Sequence, residues 1–68
     1  MVIDKMKYEI AMANACMSRK DLYEKGIARG TLNNIYHERD VLPKTVGIIA
    51  LALGVRAEDI VKESPNDN

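Results

Sequence analysis

The chain has no tryptophan and no phenylalanine; its aromatic residues are Tyr8, Tyr23 and Tyr36. A core must therefore be assembled from Leu, Ile, Val, Met and Ala. Cys16 is the single cysteine and cannot close an internal disulfide, which fits a reducing, cytoplasmic setting. With no neighbouring base, its thiol reads as a small buried apolar group rather than a nucleophile. His37 is the single histidine, so a metal ion finds no ligand set at the usual spacing. No secretory apolar stretch opens the chain, because Asp4, Lys5, Lys7 and Glu9 interrupt it. The longest charge-free apolar run, residues 45–55, falls far short of a membrane span. No Ser/His/Asp set, phosphate loop or zinc spacing is present. Sixty-eight residues leave room for one domain, with no deep cleft for a small-molecule ligand. The composition thus points away from an enzyme and implies no cofactor.

Excess charge of either sign is also missing. Ten Lys and Arg balance ten Asp and Glu. That neutrality speaks at first against nucleic acid, whose partners carry a basic surplus. The zero is a sum of unequal parts, however. Residues 1–57 hold nine basic groups and six acidic ones, a surplus of three. Residues 58–68 hold Lys62 against Glu58, Asp59, Glu63 and Asp67. Charges farther apart than about 8–10 Å are screened at physiological salt, so the basic body can still meet an anion.

No alternating run indicates a strand, and helical spacing dominates. A first helix is expected over residues 6–16. It carries two apolar stripes, Met6, Ile10, Ala13 and Met17, and Tyr8, Ala11, Met12 and Ala15, more than one core needs. Ser18 is a suitable N-cap, with Asp21 three residues on and Met17 as a staple. A second helix over residues 19–25 stops at Gly26, which tolerates the left-handed backbone. Ile27 and Ala28 form a short connector. A third helix spans residues 29–37 and buries Leu32 and Ile35. Residues 38–42 form a loop. Pro43 then leads into a fourth helix over residues 45–53, with Val46, Ile49, Ala50 and Leu53 on one face and Gly54 at its end. Val55 packs back after the turn. A fifth short helix is expected over residues 57–62, with Ile60 and Val61 inward. The domain covers residues 1–63, and residues 64–68 form a frayed polar tail. The expected class is all-α, five short helices around one core.

The informative stretch is residues 18–37. Two short helices joined by a few residues around a glycine cross steeply and leave the second protruding. Such a helix fits the DNA major groove. At 100° per residue, Leu32 and Ile35 point inward, and Gly30, Asn33, Asn34 and His37 point out, with Arg29 at the leading end. That face carries no acid. Asn pairs bidentately with adenine and Arg with guanine, while Gly30 lets the backbone approach closely. The helix N-termini, at Arg19 and Arg29, suit phosphate. Lys20, Arg39 and Lys44 flank them as phosphate contacts, and His37 is suited to a backbone contact or plain exposure.

Taken together, MSRKDLYEKGIARGTLNNIY and PKTVGIIALALGVRAEDIV resemble the lambda-repressor and Cro type (XRE-type) of helix-turn-helix domain. With the first helix, the resemblance covers residues 5–62. It implies a five-helix bundle, operator DNA as partner, and a small transcriptional regulator, usually a repressor, of bacterial or mobile-element origin. Carried over by position, Arg29, Gly30 and Asn34 read bases, with Thr31 and Asn33 beside them, and Arg19 lies against the backbone. The sequence departs from the family in several places. Tyr23 replaces a small residue after Leu22, the step from Leu22 to Gly26 is one residue short, and Ala28 stands where a Ser or Thr cap is usual. Ile48 and Leu51 occupy positions that are commonly polar. With Met6 and Ile10 from the spare stripe of the first helix they suggest a homodimer matching a two-fold operator. The rival expectation is a protein-interaction module, such as an antitoxin-like or regulator-partner subunit, using the first and fourth helices.

Overall fold

A computed structural model describes residues 1–63. The tail expected at residues 64–68 lies outside the described residues. The order is α1 (Lys5–Ala15), α2 (Arg19–Glu24), α3 (Arg29–Tyr36) and α4 (Pro43–Leu53), followed by a single 3₁₀ turn, Ala57–Asp59. The fold is all-α, and no helix among the described residues is long and apolar enough to cross a membrane.

Three of the four helices start where local chemistry satisfies their free N–H groups or removes one. Asp4 caps α1 by accepting from the Lys7 N–H at 2.9 Å. Ser18 and Asp21 form a reciprocal capping box on α2. Pro43 opens α4, where its missing N–H costs nothing. Only α3 among the four lacks both devices, because Ala28 offers no side-chain acceptor.

All four helices end the same way. A residue with left-handed backbone closes each: Cys16, Gly26, Glu38 and Gly54. The following N–H then reaches back across the last turn, as in Ile27 to the Leu22 carbonyl at 3.2 Å and Val55 to that of Ala50 at 3.0 Å. Glycine at two of these positions makes the ending visible in the sequence. Cys16, at φ 56°, and Glu38, at φ 54°, adopt the same conformation with a side chain. Cys16 is therefore an exposed helix terminator, not the buried apolar group its composition suggests.

The core is continuous and aliphatic. Leu22, Leu32, Ile35, Val46, Ile49 and Ile60 are almost completely excluded from solvent, with Tyr8 and Ala11 from α1. Of the two stripes on α1, the one containing Tyr8 and Ala11 faces in, and Met6 and Ile10 face out. Ile27, in the connector between α2 and α3, is also buried. Burying an Ile or Leu side chain contributes about 1.5–3 kcal/mol, which is how so small a chain offsets its ordering entropy.

Two segments differ from expectation. The fifth helix is reduced to one 3₁₀ turn, and the chain beyond it is extended. Ile60 is buried as expected, but Val61 forms an antiparallel bridge with Ile3. Residues 1–4 supply the reason. Ile3 is fully buried, Asp4 donates to the Ile60 carbonyl at 2.8 Å, and Lys62 donates to that of Val2 at 2.8 Å. On the other side Val2 bridges Asp40, and the Val41 N–H donates to the Met1 carbonyl at 2.6 Å. The extended partner takes up backbone groups that a further helical turn would have kept for itself. Val41, expected in a plain loop, is buried as a consequence.

Candidate nucleic-acid interface

The exposed side of α3 is positioned by α2. The two helices are joined by residues 25–28, where Gly26 takes φ 101°, which favours glycine. The buried pair Leu22 and Ile27 clamps the turn, and Leu32 and Ile35 pin α3 to the core. The remaining surface of α3 carries Arg29, Gly30 and Asn33, all exposed, and the half-buried Thr31 and Asn34.

Arg19, Lys20, Tyr23, Arg29 and Leu32 line one depression of about 380 Å³ between α2 and α3. The Arg29 guanidinium lies over the Tyr23 ring, 4.7 Å from its centroid. Arg19 donates to Oδ1 of Asn33 at 2.6 Å. Three cations, two of them tied to neighbours by stacking or hydrogen bonding, thus share the start of α3. None of the ion pairs among the described residues involves Arg19, Lys20 or Arg29. Other cations are paired, as Lys62 is with Glu38 at 3.0 Å and Arg56 with Glu58 at 2.9 Å, while Lys5, Lys25, Arg39 and Lys44 enter none of the ion pairs among the described residues.

The acids of α2 are turned away. Asp21 and Glu24 line a different depression with Cys16 and Met17. The Asp21 carboxyl is held below its ordinary pKa, first by the Ser18 backbone N–H and then by the Ser18 hydroxyl. Helix α2 is thereby divided lengthwise, with Arg19, Lys20 and Tyr23 towards α3 and its carboxylates on another side.

The far end of α3 has a different environment. His37 and Tyr36 line a depression with Asp4, Lys5, Glu9 and Glu38. The Lys5 ammonium sits 3.8 Å from the Tyr36 ring centroid. Glu38 accepts from the Lys5 N–H at 3.1 Å and from Lys62 Nζ at 3.0 Å. These two bonds, the Lys5 N–H first, hold its carboxyl below the ordinary glutamate value. His37 is exposed but stands among carboxylates, apart from the cationic depression. Arg39 and Lys44 are exposed, in the segment after α3 and in the first turn of α4.

The structure therefore gathers Arg19, Lys20, Arg29 and Asn33, with Gly30 on the adjoining surface. It separates them from His37. Tyr23 was not among the sequence candidates. The available signal was a bulky aromatic next to Leu22, where the resembled family has a small side chain. No family model, no curated protein and no solved structure matches the chain.

Proposed function

We propose that this chain binds double-stranded DNA sequence-specifically. In this reading α2 and α3 act as a helix-turn-helix, and the protein is a small transcriptional regulator of the lambda-repressor and Cro type. One observation carries it: Arg19, Lys20 and Arg29 line one depression beside the polar, acid-free face of α3, with no acidic partner among the described residues. Three of the nine basic groups of residues 1–57 thus lie together where a groove-entering helix would need them. Arg29, Gly30, Thr31, Asn33 and Asn34 face base edges, and Arg19 and Lys20 face phosphates. Arg39 and Lys44 supply flanking phosphate contacts. Binding of a mixed-sequence duplex, followed by fluorescence anisotropy against salt, tests this. Affinity should fall linearly on logarithmic axes, and Lys20→Ala should weaken all sequences alike and lower the slope by about one. Binding that is absent or indifferent to salt sinks the reading.

The bound form is proposed to be a homodimer. Leu51 is 82% exposed, Met6 66%, Ile10 52% and Ile48 45%, a large apolar surface for so short a chain. The same surface favours the second reading, a module that pairs with another protein through α1 and α4. Sedimentation of the free protein at micromolar concentration separates the two. A dimer dissociated by Ile48→Glu with Leu51→Glu supports self-association. A wild-type monomer removes the dimer and leaves a different protein as occupant.

A further inference from the structure

Helix α4 is apolar on two opposite sides, and the described chain covers one of them. Val46, Ile49, Ala50 and Leu53 are buried against the core. On the other side, at 100° per residue, Ile48 and Leu51 are exposed, with the half-buried Gly47 beside them and Lys44 at the start of the same stripe. Lys44 is the one charge among the eleven residues of α4. A helix that is apolar all round is ordinarily buried all round. This one is far too short to cross a membrane, so the cover its outer side fits is another protein surface.

Gly47 gives that outer side its shape. It lies inside the helix, where glycine is less favourable than alanine. A Cβ built on it meets nothing within 4 Å, so packing within the protomer does not exclude a side chain. The bare backbone is a shallow hole, and Leu51, one turn later and 82% exposed, is a knob beside it. A two-fold axis passing midway between them lays a second α4 antiparallel on the first and sets each Leu51 over the Gly47 of the other copy. One operation fills both holes, which is the self-complementarity of an isologous contact. A foreign helix would have to carry a matched knob and hole of its own. Charge favours the same direction. With Gly47 opposite Leu51, Lys44 stands opposite Gly54 of the other copy, and the two lysines are about 15 Å apart at 1.5 Å per residue, beyond the screening length. A parallel pair would set them side by side.

We infer that two copies of this chain pair through the outer side of α4, antiparallel, with Leu51 of each seated on the Gly47 of the other and Ile48 flanking the crossing. Gly47 lets the helix axes approach to about 8 Å, the short end of the usual range. Lys44 remains at the rim, and Met6 and Ile10 on α1 lie outside the contact. The inference rests on the homodimer reading and assigns it to one helix; it does not depend on DNA binding.

Gly47→Ala in the full chain tests it, by sedimentation equilibrium and by thermal unfolding at a dilution where the chain is monomeric. The added methyl should raise the unfolding temperature of the monomer by about 2–8 °C, because alanine favours the helix. It should also raise the dimer dissociation constant about tenfold or more, because it fills the hole that receives Leu51. A glycine with no part in pairing would move only the first quantity. In a dimer of one isotope-labelled and one unlabelled chain, intermolecular nuclear Overhauser contacts should join the Gly47 α-protons to the Leu51 methyls. A wild-type dimer whose dissociation constant is untouched by Gly47→Ala, or whose intermolecular contacts arise from Met6 and Ile10 or join Lys44 to Lys44, overturns this inference alone and keeps the homodimer. A wild type that stays monomeric at micromolar concentration overturns the homodimer and the inference with it.

Discussion

At its first turn α3 meets Arg19, Lys20 and Tyr23; at its last turn it meets Asp4, Lys5, Glu9 and Glu38. The helix itself is acid-free from end to end. The contrast is imposed by its neighbours, α2 on one side and the start of α1 on the other. On a helical wheel Asn33 and His37 belong to one outward face, and the wheel gives no reason to assign them different partners. Their surroundings do. Asn33 is bonded to a guanidinium, and His37 is set among carboxylates. A short helix can therefore present two electrostatic surfaces that its own residues do not disclose.

The strongest way to break the contrast is to release the helix that carries both ends. Ile35 is fully buried on its inner edge, in the last turn. Ile35→Ala should cost about 2–5 kcal/mol in urea unfolding, typical of a large-to-small change in a core. Total stability for a chain of this length is on the order of 3–10 kcal/mol, so both ends should be lost together. A cost below about 1 kcal/mol would mean that α3 is anchored elsewhere.

Next in size is the difference between the ends themselves. Arg29→Ala should reduce discrimination at one base pair by about 1–3 kcal/mol. His37→Ala should change duplex affinity by less than about 0.5 kcal/mol, the usual scale for an exposed position without a partner. A salt slope lowered by His37→Ala would extend the contact surface across the acidic end. The comparison would then dissolve.

Gly30 offers a smaller effect with two opposite signs. A Cβ built on it meets nothing within 4 Å, so the fold itself does not require glycine there. Inside a helix glycine costs about 0.5–1 kcal/mol relative to alanine. Gly30→Ala should stabilise the free protein by that order in thermal unfolding and, on the proposed DNA-binding reading, weaken duplex affinity by adding bulk on the face assigned to the groove. Changes of the same sign in both measurements would leave Gly30 without a role at the cationic end.

Helix positions and the aliphatic core were legible in the sequence because each rests on spacing and on strong punctuation. Ser18, Gly26, Pro43 and Gly54 mark boundaries by their chemistry, and Leu32, Ile35, Val46 and Ile49 fall at helical intervals. The remaining boundary devices were hidden by residue type. Cys16 and Glu38 take the left-handed conformation that glycine advertises, and their identities carry no such signal. The clamp of residues 1–4 was illegible for another reason. It depends on two distant segments, around Asp40 and Val61, coming together around Ile3, and no local pattern encodes that meeting. Arg29, Asn33 and Arg19 were visible as candidates one by one. Their pairing with Tyr23 and with each other required the crossing of α2 over α3.

The acidic end supplies the smallest effect and one that pH can isolate. Glu38 ties the exit of α3 to the start of α1 and to Lys62, and its carboxyl is held below the ordinary value by those bonds. A carboxyl with a depressed folded pKa stabilises the fold above its unfolded value, about 4.3, and that contribution is lost as pH falls through the depressed one. Asp21 acts in the same direction at the α2 cap, so the wild type should lose stability from both as it is acidified. Glu38→Gln should remove one of the two contributions and make unfolding less dependent on pH below about 4.3. Because Glu38 belongs to the acidic end, protonation should expose the Lys5 N–H to exchange before the Ile27 N–H, whose bond to Leu22 involves no carboxylate. Equal exchange at both amides would show that the two ends of α3 loosen as one unit, and the distinction between them would then be electrostatic without being mechanical.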